Sequence, residues 1–243
     1  MIRIFLSPSM QNNPYAYGNT TEGEQCARIA AAAAAGLTRC GFEVINATKW
    51  DYNDRVKTAL DLNVDLYIPI HTNASPNHNV TGTRVFVRSF SDEPDYSYAR
   101  TIFTYVDAVC PGTSSNIKTY ARLWEFTHTG DLPAVYIECE FHDVPAAAEW
   151  IISHVADIGE AITKGVCLCF GKEYIDPPAA IKVGDLVRIR AGAKNYSGTK
   201  TFAGWVYRSK LWVRQLNGAR AVVSLYKTGD VTGAVNVKDL IKL

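Results

Sequence analysis

The stretch Val135-Tyr136-Ile137-Glu138-Cys139-Glu140-Phe141-His142-Asp143 decides how this chain is read. Three β-favouring residues follow Pro133, so the run opens as a strand. Asp143, Pro145 and the Ala-, Glu- and Trp-bearing segment to Ile152 then read as a helix capped by Asp143. A strand that hands over to a helix is the unit of an α/β sheet, where functional groups gather at the carboxyl ends of the strands. Glu138 sits inside the apolar part of the run, and an isolated buried carboxylate is costly enough to ask for a functional reason. Glu140 shares its face by the two-residue strand period, so one of the pair is expected to be a solvated neighbour.

Working outward, Asp65-Leu66-Tyr67-Ile68-Pro69-Ile70-His71-Thr72-Asn73-Ala74-Ser75 has the same design, an apolar run ending in a histidine and small polar residues. Strands are expected at Ile2–Leu6, Phe42–Asn46, Asp65–Ile70, Gly82–Arg88 and Ala134–Ile137. Helices are expected at Glu22–Arg39, around the alanine run Ala30–Ala35 and closed by Gly41, then at Asp51–Asn63 and Asp95–Val109, with one or two across Pro145–Phe170. The alternation predicts an α/β domain over residues 1–171, with a mostly parallel sheet flanked by helices.

Residues 172–178, ending in Pro177-Pro178, read as a linker that blocks helix continuation. Beyond it short strands follow at close spacing: Leu186–Arg190, Trp205–Tyr207, Leu211–Leu216, Arg220–Leu225 and Leu240–Leu243, divided by Gly- and Asn-rich turns. This pattern predicts a small all-β barrel over residues 179–243. The two parts differ in charge. Residues 1–178 hold 13 Lys/Arg against 21 Asp/Glu, whereas residues 179–243 hold 12 against 3. Such asymmetry predicts separate tasks, with the basic part facing a polyanion.

A hydrophobic fraction of 47% and a charged fraction of 20% are those of an ordinary folded protein and argue against disorder. No window approaches 18 uninterrupted apolar residues, so no membrane span is expected. The first residues lack the features of a secretory signal, which predicts synthesis in the cytoplasm and release by another route if the protein acts outside. The six cysteines offer no second pair to complete a thiolate metal site, and reduced, partly buried thiols are expected.

Three places carry candidate chemistry: Glu22 at the start of the first helix, His71 at a strand end, and Glu138 with His142 around another strand end. Imidazole and carboxylate are natural Zn²⁺ ligands, and a further carboxylate off the metal can act as general base on a bound water. Each residue also has a structural alternative. Glu22 can complement the helix dipole, His71 can be a hydrogen-bonded strand-end residue, and His142 can cap the next helix or pair with Asp143. His78, His128 and His154 read as loop or helix-surface residues.

Together these pieces resemble the zinc-dependent N-acetylmuramoyl-L-alanine amidases of bacteria and their phages, the amidase 3 family. The resemblance rests on the first strand with its Ser7-Pro8 loop, Thr20-Thr21-Glu22, His71-Thr72-Asn73-Ala74, Gly82-Thr83-Arg84-Val85-Phe86 and Pro133 through Phe141, and covers roughly residues 2–170. It implies that Glu22 and His71 bind zinc and that Glu138 is the general acid/base in hydrolysis of the bond between N-acetylmuramic acid and L-alanine. The family usually supplies another histidine ligand after the first strand, where this chain reads Leu6-Ser7-Pro8-Ser9-Met10-Gln11. His142 is the favoured substitute; Gln11 or water, or a metal-free inactive domain, are the alternatives. The Arg122 region and residues 130–133 are expected to shape the substrate groove.

Residues 181–243 resemble a bacterial SH3-like cell-wall-binding module, on Ile181–Val187, Ala193-Lys194-Asn195-Tyr196-Ser197-Gly198, Trp205-Val206, Trp212-Val213 and Asn217–Val222. Tyr196, Trp205, Tyr207 and Trp212 are candidates to stack on sugars, two or more of them being expected in the core. The basic charge suits anionic wall polymers. The expectation is a two-domain peptidoglycan amidase of the phage or prophage endolysin kind, or a related autolysin, with no nucleic-acid or membrane partner. The competing readings are a non-catalytic wall-binding protein and a nucleic-acid-binding protein built on a basic barrel.

Overall fold

The computed structural model describes every residue except Lys49, and every side chain of these except that of Tyr52. The chain divides into two compact units, Met1–Ile175 and Asp176–Leu243. No helix among the described residues is long and apolar enough to cross a membrane.

In chain order the first unit runs β1 (Arg3–Pro8), α1 (Glu22–Arg39), β2 (Glu43–Asn46), α2 (Tyr52–Asp61), β3 (Leu66–Asn73), β4 (Arg84–Val87), α3 (Asp95–Val109), β5 (Asn116–Thr119), α4 (Trp124–His128), β6 (Tyr136–Phe141), α5 (Pro145–Ser153) and α6 (Val155–Cys169). The sheet order is β2-β1-β3-β6-β4-β5. All neighbours are parallel except β4 against β6. The expected α/β domain with a mostly parallel sheet flanked by helices is therefore present. The alternation did not reveal β5 or α4: β5 is a polar edge strand and α4 a helix of five residues, too short for a period to show.

The strand period sorts the side chains onto two faces. Ile4, Leu6, Leu66, Ile68, Ile70, Ile137 and Cys139 pack with Ile29, Ala33 and Leu37 of α1, Ile102 and Val106 of α3, and Ile158, Ile162 and Val166 of α6. On the other face Phe5, Tyr67, Ala134 and Tyr136 meet Val56 and Ala59 of α2 and Phe126 of α4. Two helices, not one, fill the span after β6, and the chain breaks at His154 (φ −116°, ψ 21°). Gly159 and Gly36 let α1 and α6 pack closely, since a Cβ on Gly36 would lie 2.3 Å from Thr163 Oγ1.

The second unit holds β7 (Leu186–Ile189), α7 (Gly204–Arg208), β8 (Leu211–Asn217), β9 (Arg220–Ser224), β10 (Gly233–Asn236) and β11 (Leu240–Lys242), in an antiparallel sheet of order β10-β9-β8-β7-β11. Its core is Val187, Ile189, Val206, Leu211, Val213, Ala221, Val223, Val235 and Leu240. One expected strand is corrected: Trp205–Tyr207 lies in helix α7, which buries Val206 and leaves Trp205 exposed. A single buried residue between two outward ones fits both periods, so the triplet could not distinguish them.

Candidate active site

Thr21 caps α1 in a capping box, its hydroxyl accepting from the Glu24 N–H while the Glu24 carboxylate accepts from the Thr21 N–H. Glu24 thus serves the helix start, and Glu22 is released from that role. It turns inward, 2% exposed, and its Oε1 lies 2.9 Å from His71 Nδ1. Burial alone would raise the Glu22 carboxyl, but hydrogen bonds and charge from His71, with hydrogen bonds from Ser9 and Asn13, outweigh it and hold the group below its ordinary value. An ionised carboxylate only accepts, so His71 Nδ1 is the donor in this contact.

The loop after β1 is pressed onto this helix start. Gly23 N–H donates to the Gln11 carbonyl at 2.9 Å, and a Cβ at Gly23 would meet that oxygen at 3.2 Å. Asn13 Nδ2 donates to Glu22 Oε2 at 2.7 Å and to Gln11 Oε1 at 2.9 Å, which holds the Gln11 amide oxygen one side chain away from Glu22.

His71 and Tyr136 stack at 4.6 Å on the α2/α4 face of the sheet. Glu138 stands in register with His71 on the adjacent strand. Its carboxyl is pushed well above the ordinary value, first by burial and then by the charges of Glu22 and Glu125. Glu138 Oε2 is buried without a hydrogen-bond partner. Glu140 does not share this environment: its carboxylate accepts from the Gly82 N–H and the Cys110 thiol, and it is buried, not solvated.

His142 does not join the group. Between β3 and β6 the pairing slips, His71 opposite Glu138 but Asn73 opposite Phe141, so β6 carries one extra residue. That bulge defeats the simple two-residue count and turns His142 onto the α1 side. There its Nδ1 donates to the Thr72 carbonyl at 2.9 Å, its ring stacks on Tyr15 at 5.1 Å, and Tyr15 shares a hydrogen bond with Thr72 Oγ1 at 2.9 Å. Of the two candidates for a third ligand, Gln11 lines the cleft with His71, and His142 is held by Thr72 and Tyr15.

A cleft of about 500 Å³ opens over the site, lined by Gln11, His71, Arg122, Trp124, Glu125 and Tyr136 among others. Sequence reasoning passed over Glu125, an acid inside Leu123-Trp124-Glu125-Phe126 that is 2% exposed. Its apolar neighbours are the same signal that marked Glu138. Asn13 was hidden in a polar loop. Among the described residues no three His, Cys, Asp or Glu side chains come close enough to hold a metal ion. What is present is a carboxylate and an imidazole sharing one proton, an amide oxygen nearby, and a buried carboxylate oxygen left unpaired. That donor set fits a divalent cation, which would displace the shared proton.

In the second unit the four aromatic candidates separate. Tyr207 is structural, its hydroxyl donating to the Ala193 carbonyl at 2.7 Å and accepting from the Phe202 N–H at 3.0 Å. Trp212 is half-buried with Lys227 Nζ 5.0 Å over its ring. Tyr196 and Trp205 are exposed. Trp205 lines a cleft of about 490 Å³ with Phe202, Leu225, Tyr226, Asp230 and Val231. Tyr226, 64% exposed, was not among the candidates read from the sequence.

Comparison with known proteins bears on the family and the fold. The amidase 3 family model, described as N-acetylmuramoyl-L-alanine amidase, matches residues 11–167. The fold is similar to AmiC2, an N-acetylmuramoyl-L-alanine amidase of Nostoc punctiforme, at 16% identity and a TM-score of 0.61, covering 70% of this chain and 97% of that one. It is similar to the catalytic domain of CwlV from Bacillus (Paenibacillus) polymyxa var. colistinus, at 14% identity and a TM-score of 0.62, covering 71% and 100%. It is also similar to an N-acetylmuramoyl-L-alanine amidase from Clostridium difficile 630, at 21% identity and a TM-score of 0.61, covering 70% and 97%. No curated protein matches the sequence closely enough to count as a relative. With a family model spanning most of the chain and its first unit carrying the matching fold, this chain belongs to the N-acetylmuramoyl-L-alanine amidase family.

Proposed function

We propose that the protein is a zinc-dependent peptidoglycan amidase that cleaves the bond between the lactyl group of N-acetylmuramic acid and L-alanine. The observation that carries this reading is the Glu138 carboxyl, in register with His71 and with a buried Oε2 that has no hydrogen-bond partner among the described residues, near enough to the Glu22–His71 pair to feel the charge of Glu22. Glu22 and His71 would hold the metal, with the Gln11 amide oxygen or water completing its ligands. When bound, zinc supplies a water of lowered pKa and polarises the lactyl carbonyl.

The chain's own groups do the rest. Glu138 takes the proton from the attacking water at Oε2 and returns it to the alanine nitrogen as the C–N bond breaks. Its raised affinity for protons suits the first half of this shuttle, because a carboxylate of ordinary affinity would be a weak base toward the attacking water. Tyr136 braces the His71 ring by stacking, and Asn13 fixes the free oxygen of Glu22.

The second unit is read as a wall-binding module of the SH3-like kind, occupying residues 179–243 after a linker at 172–178. Its excess of basic residues draws it to anionic wall polymers, and the exposed Trp205 and Tyr226 rings offer stacking surfaces. The assembly suits an endolysin or autolysin that acts on the wall after release. The test is turbidity of a purified cell-wall suspension. Clearing that stops on chelation and returns with zinc supports the reading; sedimentation with walls without clearing would leave a binding protein instead.

A further inference from the structure

One arginine at the candidate active cleft has no partner. Arg122 lines the cleft together with His71, Gln11 and Glu125, yet its side chain takes part in no ion pair, hydrogen bond or ring contact among the described residues. It is also the one fixed cation among the residues described as lining that cleft. Its surroundings are acidic. Glu125 lines the same cleft, Glu22 and Glu125 act by charge on Glu138, and residues 1–178 carry 21 Asp/Glu against 13 Lys/Arg. An exposed guanidinium with no carboxylate beside it does nothing for the fold that another polar side chain would not do. Its planar fork is suited to receive a carboxylate from outside.

We infer that Arg122 is a specificity-determining residue that receives the free α-carboxylate of the second residue of the peptide stem. The inference rests on the amidase reading. In peptidoglycan, L-alanine is followed by D-glutamate joined onward through its γ-carboxyl, which leaves the α-carboxylate free (isoglutamate) or amidated (isoglutamine). That group lies roughly 7 Å beyond the scissile amide, two residues' reach. His71 and Arg122 line one cleft of about 500 Å³, so a stem anchored with its amide over His71 can run on toward the guanidinium. The amidated form offers no charge to the guanidinium.

The test is equilibrium binding by calorimetry to the full-length Glu138→Gln protein, so that nothing is hydrolysed. The probes are N-acetylmuramoyl-L-alanyl-D-isoglutamate and its isoglutamine counterpart. The free acid is expected to bind about tenfold more tightly, the scale of an exposed charge pair in a partly enclosed cleft. Arg122→Gln is expected to erase that preference and Arg122→Lys to keep part of it. Equal binding of the two probes, a preference that survives in Arg122→Gln, or no binding of either overturns the inference. Wall hydrolysis by the unmodified protein, measured in parallel, reports separately on the amidase reading.

Discussion

His71 and Glu138 face each other in register on neighbouring parallel strands, and the sheet thereby sets an imidazole beside a buried carboxyl with one unpaired oxygen. Glu138→Gln keeps the shape and removes the proton shuttle. Wall hydrolysis is expected to fall about 10²–10⁴-fold, the usual contribution of general acid–base catalysis. Metal content, measured by plasma emission, is expected to stay unchanged.

The same substitution has a stability signature of opposite sign. The folded-state value of Glu138 is raised, so its contribution is fully present below the ordinary glutamate value of 4.5 and is lost as pH climbs through the folded value. Chelator-treated Glu138→Gln is therefore expected to melt higher than chelator-treated wild type at neutral pH. The gap should close below about pH 4.5. A gap that widens on acidification would mean that the carboxyl is stabilised, not strained, by its surroundings.

The metal proposal separates Glu22, His71 and Gln11 by degree. Glu22→Ala and His71→Ala are each expected to abolish zinc retention after dialysis, and to lower stability by about 1–3 kcal/mol by leaving a buried partner unsatisfied. Gln11→Ala is expected to weaken zinc affinity without abolishing it, because an amide oxygen is a poorer ligand than imidazole.

His142 is expected to matter for folding and not for zinc. Its ring is 3% exposed, stacked on Tyr15 and bonded to the Thr72 carbonyl. His142→Ala is expected to cost about 2–4 kcal/mol in denaturant unfolding, from the lost packing and the orphaned carbonyl. Zinc stoichiometry should stay at the wild-type value; a loss of zinc with unchanged stability would contradict the placement.

In the second unit, Trp205→Ala is expected to cut sedimentation with wall fragments about fivefold while leaving the melting curve unchanged, since the ring is half exposed. Tyr207→Phe removes a hydroxyl held between the Ala193 carbonyl and the Phe202 N–H. It is expected to lower stability by about 1 kcal/mol and to leave wall binding intact.

Much of the first unit was legible because its signals are local and repeated. The alanine-rich period of α1 and the apolar runs of β3 and β6 fixed the sheet class, and a carboxylate inside an apolar run marked Glu138. The cost of burying charge is a property of one position and its neighbours, which a sequence displays. The side on which His142 lies was not legible, because a single extra residue in β6 reverses every later side chain and no pattern within the strand announces it. Glu125 carried the right signal in a helix of five residues, too short to be noticed as an element. The parting of Tyr207 from Trp205 depends on which end of a short helix meets the core, a tertiary fact.

The central claim is that Glu138, beside the Glu22–His71 pair, drives hydrolysis of the muramoyl–alanine amide. Its most direct test is end-group analysis of purified peptidoglycan after digestion. New N-terminal alanine should accumulate with the wild-type protein and zinc, without new reducing sugar ends, and should be absent with Glu138→Gln. Reducing ends without N-terminal alanine, or undiminished alanine release by Glu138→Gln, would contradict the account.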